Sequence, residues 1–269
     1  MYIVCADARV IKKISTDRRH VLGVASVDDE LFVLLQQVDN QVAVYSIDDY
    51  QLLHHLNMSG FKPRGYSFMT SCVRHKCLYT SSCDDRCIHR YDLASNATST
   101  WSVPGEPYGL SVTPSCNLLV TCLGESNTLV ELSADSGQFV REIALQLDIT
   151  YPRHSLQLTT GQFLVCYSGD LDRVCVVGDD GKVTRSYGGE FGSNVGQLHA
   201  PYHLAVDEDS QHIFVADRHN RRVVLLSPTL EFVRCVAEGL FGTQRLYFHQ
   251  ATRRLFVGRS GGGVTVIQL

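Results

Sequence analysis

The sequence predicts an all-β chain folded as a single six-bladed β-propeller of four-stranded blades. Three observations predict it: one segment pattern used six times, apolar runs of strand length with no helical period, and a spare strand at the N-terminus where the last repeat lacks its fourth. The first strand of the repeat follows a proline or a similar turn. It reads FKPRGYSFM from Phe61, GEPYGLSVT from Gly105, TYPRHSLQLT from Thr150 and HAPYHLAVD from His199, with looser copies VLGVASV from Val21 and TQRLYFH from Thr243. Pro63, Pro107, Pro152 and Pro201 stand 44, 45 and 49 residues apart, a spacing suited to one propeller blade. The second strands are ELFVLLQ (30–36), KCLYTSS (76–82), NLLVTCL (117–123), QFLVCYS (162–168), HIFVADR (212–218) and RLFVGRS (254–260). The third are QVAVYS (41–46), CIHRYD (87–92), TLVELS (128–133), RVCVVG (173–178), RVVLLS (222–227) and GVTVIQL (263–269).

Each run is four to eight residues long and rich in β-branched and aromatic side chains, too short for a helix. Asp48-Asp49, Ser95-Asn96, Asp135-Ser136-Gly137, Asp179-Asp180-Gly181 and Ser227-Pro228 separate them with residues that tolerate turn geometry. The fourth strand recurs as QFVREI (138–143), EFVRCV (231–236) and, more loosely, KVTRSY (182–187). The sixth repeat ends at Leu269 without one, and RVIKKI (9–14) has the missing shape. Residues 9–14 are therefore expected to complete the last blade, which closes the ring and removes exposed sheet edges. The blades fall at 21–60, 61–104, 105–149, 150–196, 197–240, and 241–269 with 9–14. One domain spans 1–269, with residues 1–8 unplaced and the ends near the closing strands, as in a domain trimmed from a longer chain.

Composition narrows the function. With 44% hydrophobic and 19% charged residues among 269, the chain is neither disordered nor short of core. A net charge of −4 argues against a generically basic nucleic-acid binder. No apolar run reaches membrane-span length and no secretory leader is expected, since MYIVCADARVIKK has no basic lead. The ten cysteines lack CxxC spacing, and most sit inside apolar runs such as LVTCL and FLVCY. Cys72/Cys77 and Cys83/Cys87 flank short turns where a bridge is conceivable, but buried reduced thiols are the reading, which points to the cytoplasm.

The stretch QLHAPYHLAVDEDSQHIFVADRHNRRVVLLSP (197–228), with the lead-in Gly188-Gly189-Glu190-Phe191-Gly192, resembles the NHL repeat family. The other blades keep its skeleton and lose its signature: SFMTSC stands for the Ala-Val-Asp segment in blade two, and CLGESNTLV for the Ala-Asp…Asn-x-Arg segment in blade three. The resemblance implies a recognition head like those of tripartite-motif ubiquitin ligases or of Brat-like translational repressors. It also implies that Asp217, Asn220 and Arg222 hold a turn together, leaving Arg218 and Arg221 to contact a partner. Peptidyl-hydroxyglycine lyases, which use this ring around a metal, are similar too, with histidines from separate blades.

The residues just after each proline should line one rim of the ring. That column reads Leu22, Arg64, Tyr108, His154, Tyr202 and Gln244, with Arg153 beside His154 as a one-residue insertion that keeps Leu156 and Leu158 in the phase of Leu110 and Val112. Aromatic and guanidinium groups on one rim suit a peptide pocket, or bases and phosphates. The expected function is therefore a monomeric, non-catalytic module for a protein or peptide, with single-stranded RNA as the alternative and a metal-dependent lyase or hydrolase third. No cofactor is expected. His154 and His203 alone fall short of the three ligands a catalytic zinc needs, so no metal site is expected either. His54-His55 and Trp101 read as outer-strand residues, Trp101 packing between blades.

Overall fold

The computed structural model describes residues 8–36, 41–63 and 65–269. Among them every regular element is a strand. From the axis outward, blade one holds β2 (Val21–Val27), β3 (Glu30–Leu35), β4 (Gln41–Ser46) and β5 (Leu52–Asn57), and blade two holds β6 (Met69–Cys72), β7 (Cys77–Ser82), β8 (Cys87–Asp92) and β9 (Thr98–Ser102). Blade three is β10 (Glu106–Val112), β11 (Leu118–Leu123), β12 (Thr128–Leu132) and β13 (Phe139–Ala144); blade four is β14 (Pro152–Gln157), β15 (Phe163–Tyr167), β16 (Arg173–Val177) and β17 (Val183–Gly188). Blade five is β18 (Pro201–Val206), β19 (Ile213–Asp217), β20 (Arg222–Leu226) and β21 (Phe232–Ala237). Blade six runs β22 (Thr243–His249), β23 (Arg254–Arg259), β24 (Val264–Gln268) and then β1 (Arg9–Ile14). All pairings inside the blades are antiparallel, which short hairpins between consecutive strands permit.

The innermost strands β2, β6, β10, β14, β18 and β22 contact one another in sequence, and β22 returns to β2, so the ring closes. β1 makes the joint by antiparallel pairing: it pairs with β24 through Val10↔Ile267, Lys13↔Thr265 and Ile14↔Val264, with a bulge at Ile11. Beyond the strand, the Gly263 N–H donates to Thr16 Oγ1 (2.7 Å), and that hydroxyl donates to the Arg19 carbonyl.

Six separate hydrophobic cores fill the wedges between neighbouring blades. The second and third strands of each blade are buried on both faces, which explains their nearly unbroken apolar sequence. Outer strands such as β5 and β13 are largely exposed, so His54 and His55 both face solvent. Trp101 lies between blades two and three, its ring 5.8 Å from that of Tyr79 and pressed on Gly137. Gly137 sits at φ +72°, and a Cβ there would fall within 2.3 Å of the indole, so only glycine fits this turn. The nine described cysteines are free thiols, most of them buried. Cys72 and Cys77 face each other across the β6–β7 hairpin without a bridge.

Candidate functional site

Every blade for which the register is set on both sides of its first turn has a β-bulge where the innermost strand begins, so two residues stand there against one on the second strand. The pairs Pro107↔Cys122 and Leu110↔Val120 in blade three match Pro152↔Tyr167 and Ser155↔Val165 in blade four, and Pro201↔Asp217 and Leu204↔Val215 in blade five. Blade four therefore has no insertion. Arg153 is equivalent to Tyr108 and Tyr202, and His154 to Gly109 and His203. The expected phase fails because Ser155, not a leucine, fills the position of Leu110; its hydroxyl is satisfied by Thr121 Oγ1 at 2.7 Å across the blade boundary. In blade two the pair Met69↔Thr80 gives the equivalent positions to Ser67 and Phe68, so Pro63 lies too early to mark them. Arg64 lies outside the described residues.

The bulge creates two rings. The one set deeper, toward the axis, reads Gly23, Phe68, Gly109, His154, His203 and Arg245, and its large members plug the channel. His154 and His203 stack with centroids 3.7 Å apart, and Phe68 lies near-parallel to both. His154 Nδ1 accepts the Leu204 N–H (3.3 Å), so Nε2 carries the proton and donates to the Leu110 carbonyl (3.1 Å). His203 Nδ1 accepts the Leu246 N–H (3.4 Å). Burial holds both imidazoles neutral, lowering His154 to about 3 and His203 well below its ordinary value, with Arg245 nearby acting in the same direction.

Among the described residues Arg245 is the largest fully buried side chain. It donates from Nε to the Leu22 carbonyl (2.6 Å), from Nη1 to the Gln244 carbonyl (3.0 Å) and from Nη2 to the Ser67 carbonyl (3.0 Å), binding blade six to blades one and two. Its guanidinium lies 3.9 Å over Phe68 and 5.0 Å from the Tyr202 centroid. Gly109 is required beside this plug, because a Cβ there would meet His154 Cα and the Arg153 carbonyl at 2.6 Å.

The outer ring, on the face where the innermost strands begin (the proline face), contains Tyr108, Arg153 and Tyr202. The Arg153 guanidinium lies 5.7 Å from the centroids of both Tyr108 and Tyr202 and 6.0 Å from Tyr151. Arg218 covers Tyr202 at 4.9 Å. The two tyrosines are buried beneath these cations, while Tyr66, 5.6 Å from Tyr108, and Tyr151 are more than half exposed. Arg153 donates to Ser168 Oγ, and neither Arg153 nor Arg218 meets a carboxylate among the described residues. Gln244 departs from the expected rim: it is buried, donating to the Val21 carbonyl at 2.8 Å. His154 departs too, as part of the plug. Arg221 is exposed and lies over Phe241 at 4.0 Å, at the junction of blades five and six.

Asp217 accepts from the His199 N–H (2.7 Å), Asn220 Nδ2 (2.8 Å) and Arg222 Nε (2.7 Å), and Arg222 also donates to the Ser193 and Gln197 carbonyls. This network ties the turn to the glycine-rich loop. A recess of about 370 Å³ between blades two and three adds Glu106, Glu125 and Glu142 to the same face, with Arg86. Among the described residues no three His, Cys, Asp or Glu side chains converge as metal ligands. Burial pushes the thiols of Cys83, Cys122 and Cys166 up to about 12, so none is a thiolate at neutral pH.

Phe68 and Arg245 were missed in the sequence because the bulge was not anticipated. The signal was present as bulky residues at positions where Gly23 and Gly109 stand in other repeats.

No family model and no curated protein matches the chain. Solved structures do. A catalytically inactive virginiamycin B lyase from Staphylococcus aureus, solved with quinupristin, aligns with TM-score 0.69 at 9% identity over 97% of this chain and 99% of that one. Hydrazine synthase from Kuenenia stuttgartiensis aligns with TM-score 0.66 at 14% identity over 95% and 97%. The WD40 propeller domain of Doa1 aligns with TM-score 0.63 at 14% identity over 97% and 96%. At such identities the likeness establishes the propeller fold alone, which serves unrelated functions.

Proposed function

We propose that the chain is a non-catalytic binding module that recognises a protein or peptide on its proline face. The observation that carries this reading is the stack Tyr108–Arg153–Tyr202–Arg218, two guanidiniums without carboxylate partners among the described residues, held over aromatic rings on a rigid ring of strands. Guanidinium groups so placed suit a carboxylate, and the exposed Tyr66 and Tyr151 beside them offer apolar contact. The adjacent acidic recess gives the face both signs of charge, which fits a peptide of mixed character better than a polyanion. The NHL-like blade five supports a finer reading, a substrate-recognition head of a ubiquitin ligase in the cytoplasm.

Single-stranded RNA is the second reading, favoured by the same alternation of rings and cations. The two separate by salt. A library of peptides rich in Glu and Tyr, and single-stranded RNA of mixed sequence, are titrated by fluorescence anisotropy at low and high ionic strength. Selected peptides should bind, and the double variant Arg153→Glu, Arg218→Glu should weaken them by at least about tenfold, a loss of 1.4 kcal/mol or more. Equal binding by the double variant overturns the proposal. RNA binding that falls steeply with log salt and vanishes in that variant replaces it with the second reading.

A further inference from the structure

The opposite face of the disc carries a different feature. Where the innermost strands end, the axial channel widens into a cavity of about 550 Å³. The stacked imidazoles of His154 and His203 are part of its wall, and the axial plug separates it from the proline face. Leu110, Leu204, Leu246 and Met69 make much of the remaining lining. Charge is confined to Arg74 and Glu208, which belong to the hairpin turns around the mouth.

We infer that this cavity is a binding site for a small, uncharged and largely apolar molecule carrying one hydrogen-bonding group. The volume lies within the range of roughly 300–1,000 Å³ that accommodates such molecules. The lining explains the exclusion of charge: the imidazoles are held neutral by burial, and among the described residues no carboxylate, ammonium or guanidinium lines the deep part to repay the desolvation of an ion. The polar partner is Ser111. It is 4% exposed, it belongs to the cavity wall, and its hydroxyl has no hydrogen-bond partner among the described residues, although buried hydroxyls are ordinarily satisfied. Its neighbours in the wall are engaged: Ser71 donates to the Ser26 carbonyl and Tyr247 bonds the Ser26 hydroxyl. A rigid ring of six strands keeps the space open, since closing it would unmake the inter-blade cores.

The site is independent of the proline-face reading, and the experiment keeps them apart. The probes are 2-naphthol, neutral and bearing one hydroxyl, and 2-naphthoate, its anionic counterpart, followed by their own fluorescence. Naphthol should bind one to one, and naphthoate at least about tenfold more weakly. Ser111→Ala should weaken naphthol about three- to tenfold, as for one lost hydrogen bond. Gln157→Trp, which places bulk from a half-buried wall position, should abolish binding, while Leu147→Ala, at an exposed loop position outside both sites, should leave it unchanged. A readout on the unaltered chain covers failure of any variant to fold: saturating naphthol should slow alkylation of Cys116, a partly buried thiol of the cavity wall, and leave Cys83 on the proline face unaffected. Equal affinity for naphthoate, no saturable naphthol binding, or no protection of Cys116 overturns the inference.

Discussion

Two residues at the axis show how a buried polar group sets a condition on stability. His154 is 1% exposed with one ring nitrogen accepting and the other donating, an arrangement that only the neutral imidazole can make. In the unfolded chain the ring takes up a proton near its ordinary pKa of about 6.5, whereas the folded ring stays neutral down to about 3. The unfolded state thus binds more protons across that window, and stability falls as pH falls, by about 1.4 kcal/mol per pH unit for each such histidine once well below the ordinary value. His203 acts in the same direction. Urea unfolding of His154→Gln between pH 6 and pH 4 should show that slope reduced by about one proton's share; an unchanged slope would mean that the ring is already charged in the folded state. Arg245 sets a geometric condition instead. Its fork reaches the Leu22, Gln244 and Ser67 carbonyls from one planar group, and a lysine ammonium, a single point of charge, cannot span them. Arg245→Lys should destabilise the chain by about 2–3 kcal/mol in the same urea assay, the cost of stranding buried acceptors around a cation. These residues also mark where the sequence was hard to read. A repeat alignment assumes one residue per position, and the bulge places two, so the column named from the prolines mixed the outer ring with the deeper one.

Strands themselves were legible, for a physical reason. Second and third strands bury both faces, so their apolar runs are continuous and their length distinguishes them from helices, as LLVTCL of β11 and RVVLL of β20 show. Their ends moved by a residue or so, as in β13 and β21, because turn residues and strand residues exchange there at little energetic difference. Blade two was the hardest: β6 is only four residues, and Pro63 lies outside it. The closing strand is the element whose role can be tested most directly. Ile14 of β1 is 5% exposed and packs with Val264 and Val266 in the core between blades six and one, while Lys12 two residues earlier is exposed. Ile14→Ala should cost about 2–4 kcal/mol, as for other large-to-small changes in a core, and Lys12→Ala about 0.5 kcal/mol or less. Thermal or urea unfolding of the two variants, compared side by side, measures whether β1 is an integral fourth strand; similar small effects for both would show that it is not.

At the scale of the whole molecule, the ring separates two faces of different chemistry. The proline face carries paired aromatic and cationic side chains, the other a neutral cavity, and the plug of Phe68, His154, His203 and Arg245 stands between them. Neither face was fully legible, because each is assembled from positions some 45 residues apart whose equivalence depends on register. The mode of closure has its own consequence. Five of the six blades are made from consecutive strands, and only blade six takes a strand from the other end of the chain, so the ring is held shut by a backbone ladder rather than by side-chain packing alone. Consider a circular permutant in which a flexible linker joins Leu269 to Ala8 and new ends open at Val195, an exposed position in the loop between β17 and β18. All six blades are then made of consecutive strands, and the seam moves to the boundary of blades four and five. There the core of Leu164, Val174, Leu204 and Val224 must close the ring with no ladder across it. Such a core buries ample apolar surface, so the permutant should fold with the same strand content by circular dichroism. It should unfold at a lower temperature, because a seam without hydrogen bonds along it opens locally before the rest of the ring. If a loss of roughly 2–3 kcal/mol is involved, the midpoint falls by about 4–12 °C for a domain of this size. Hydrogen exchange should then be fastest in β17 and β18 in the permutant and not in the natural arrangement. A permutant as stable as the parent, with no such localised exchange, would show that the inter-blade cores alone close the ring and that the β1–β24 ladder is dispensable.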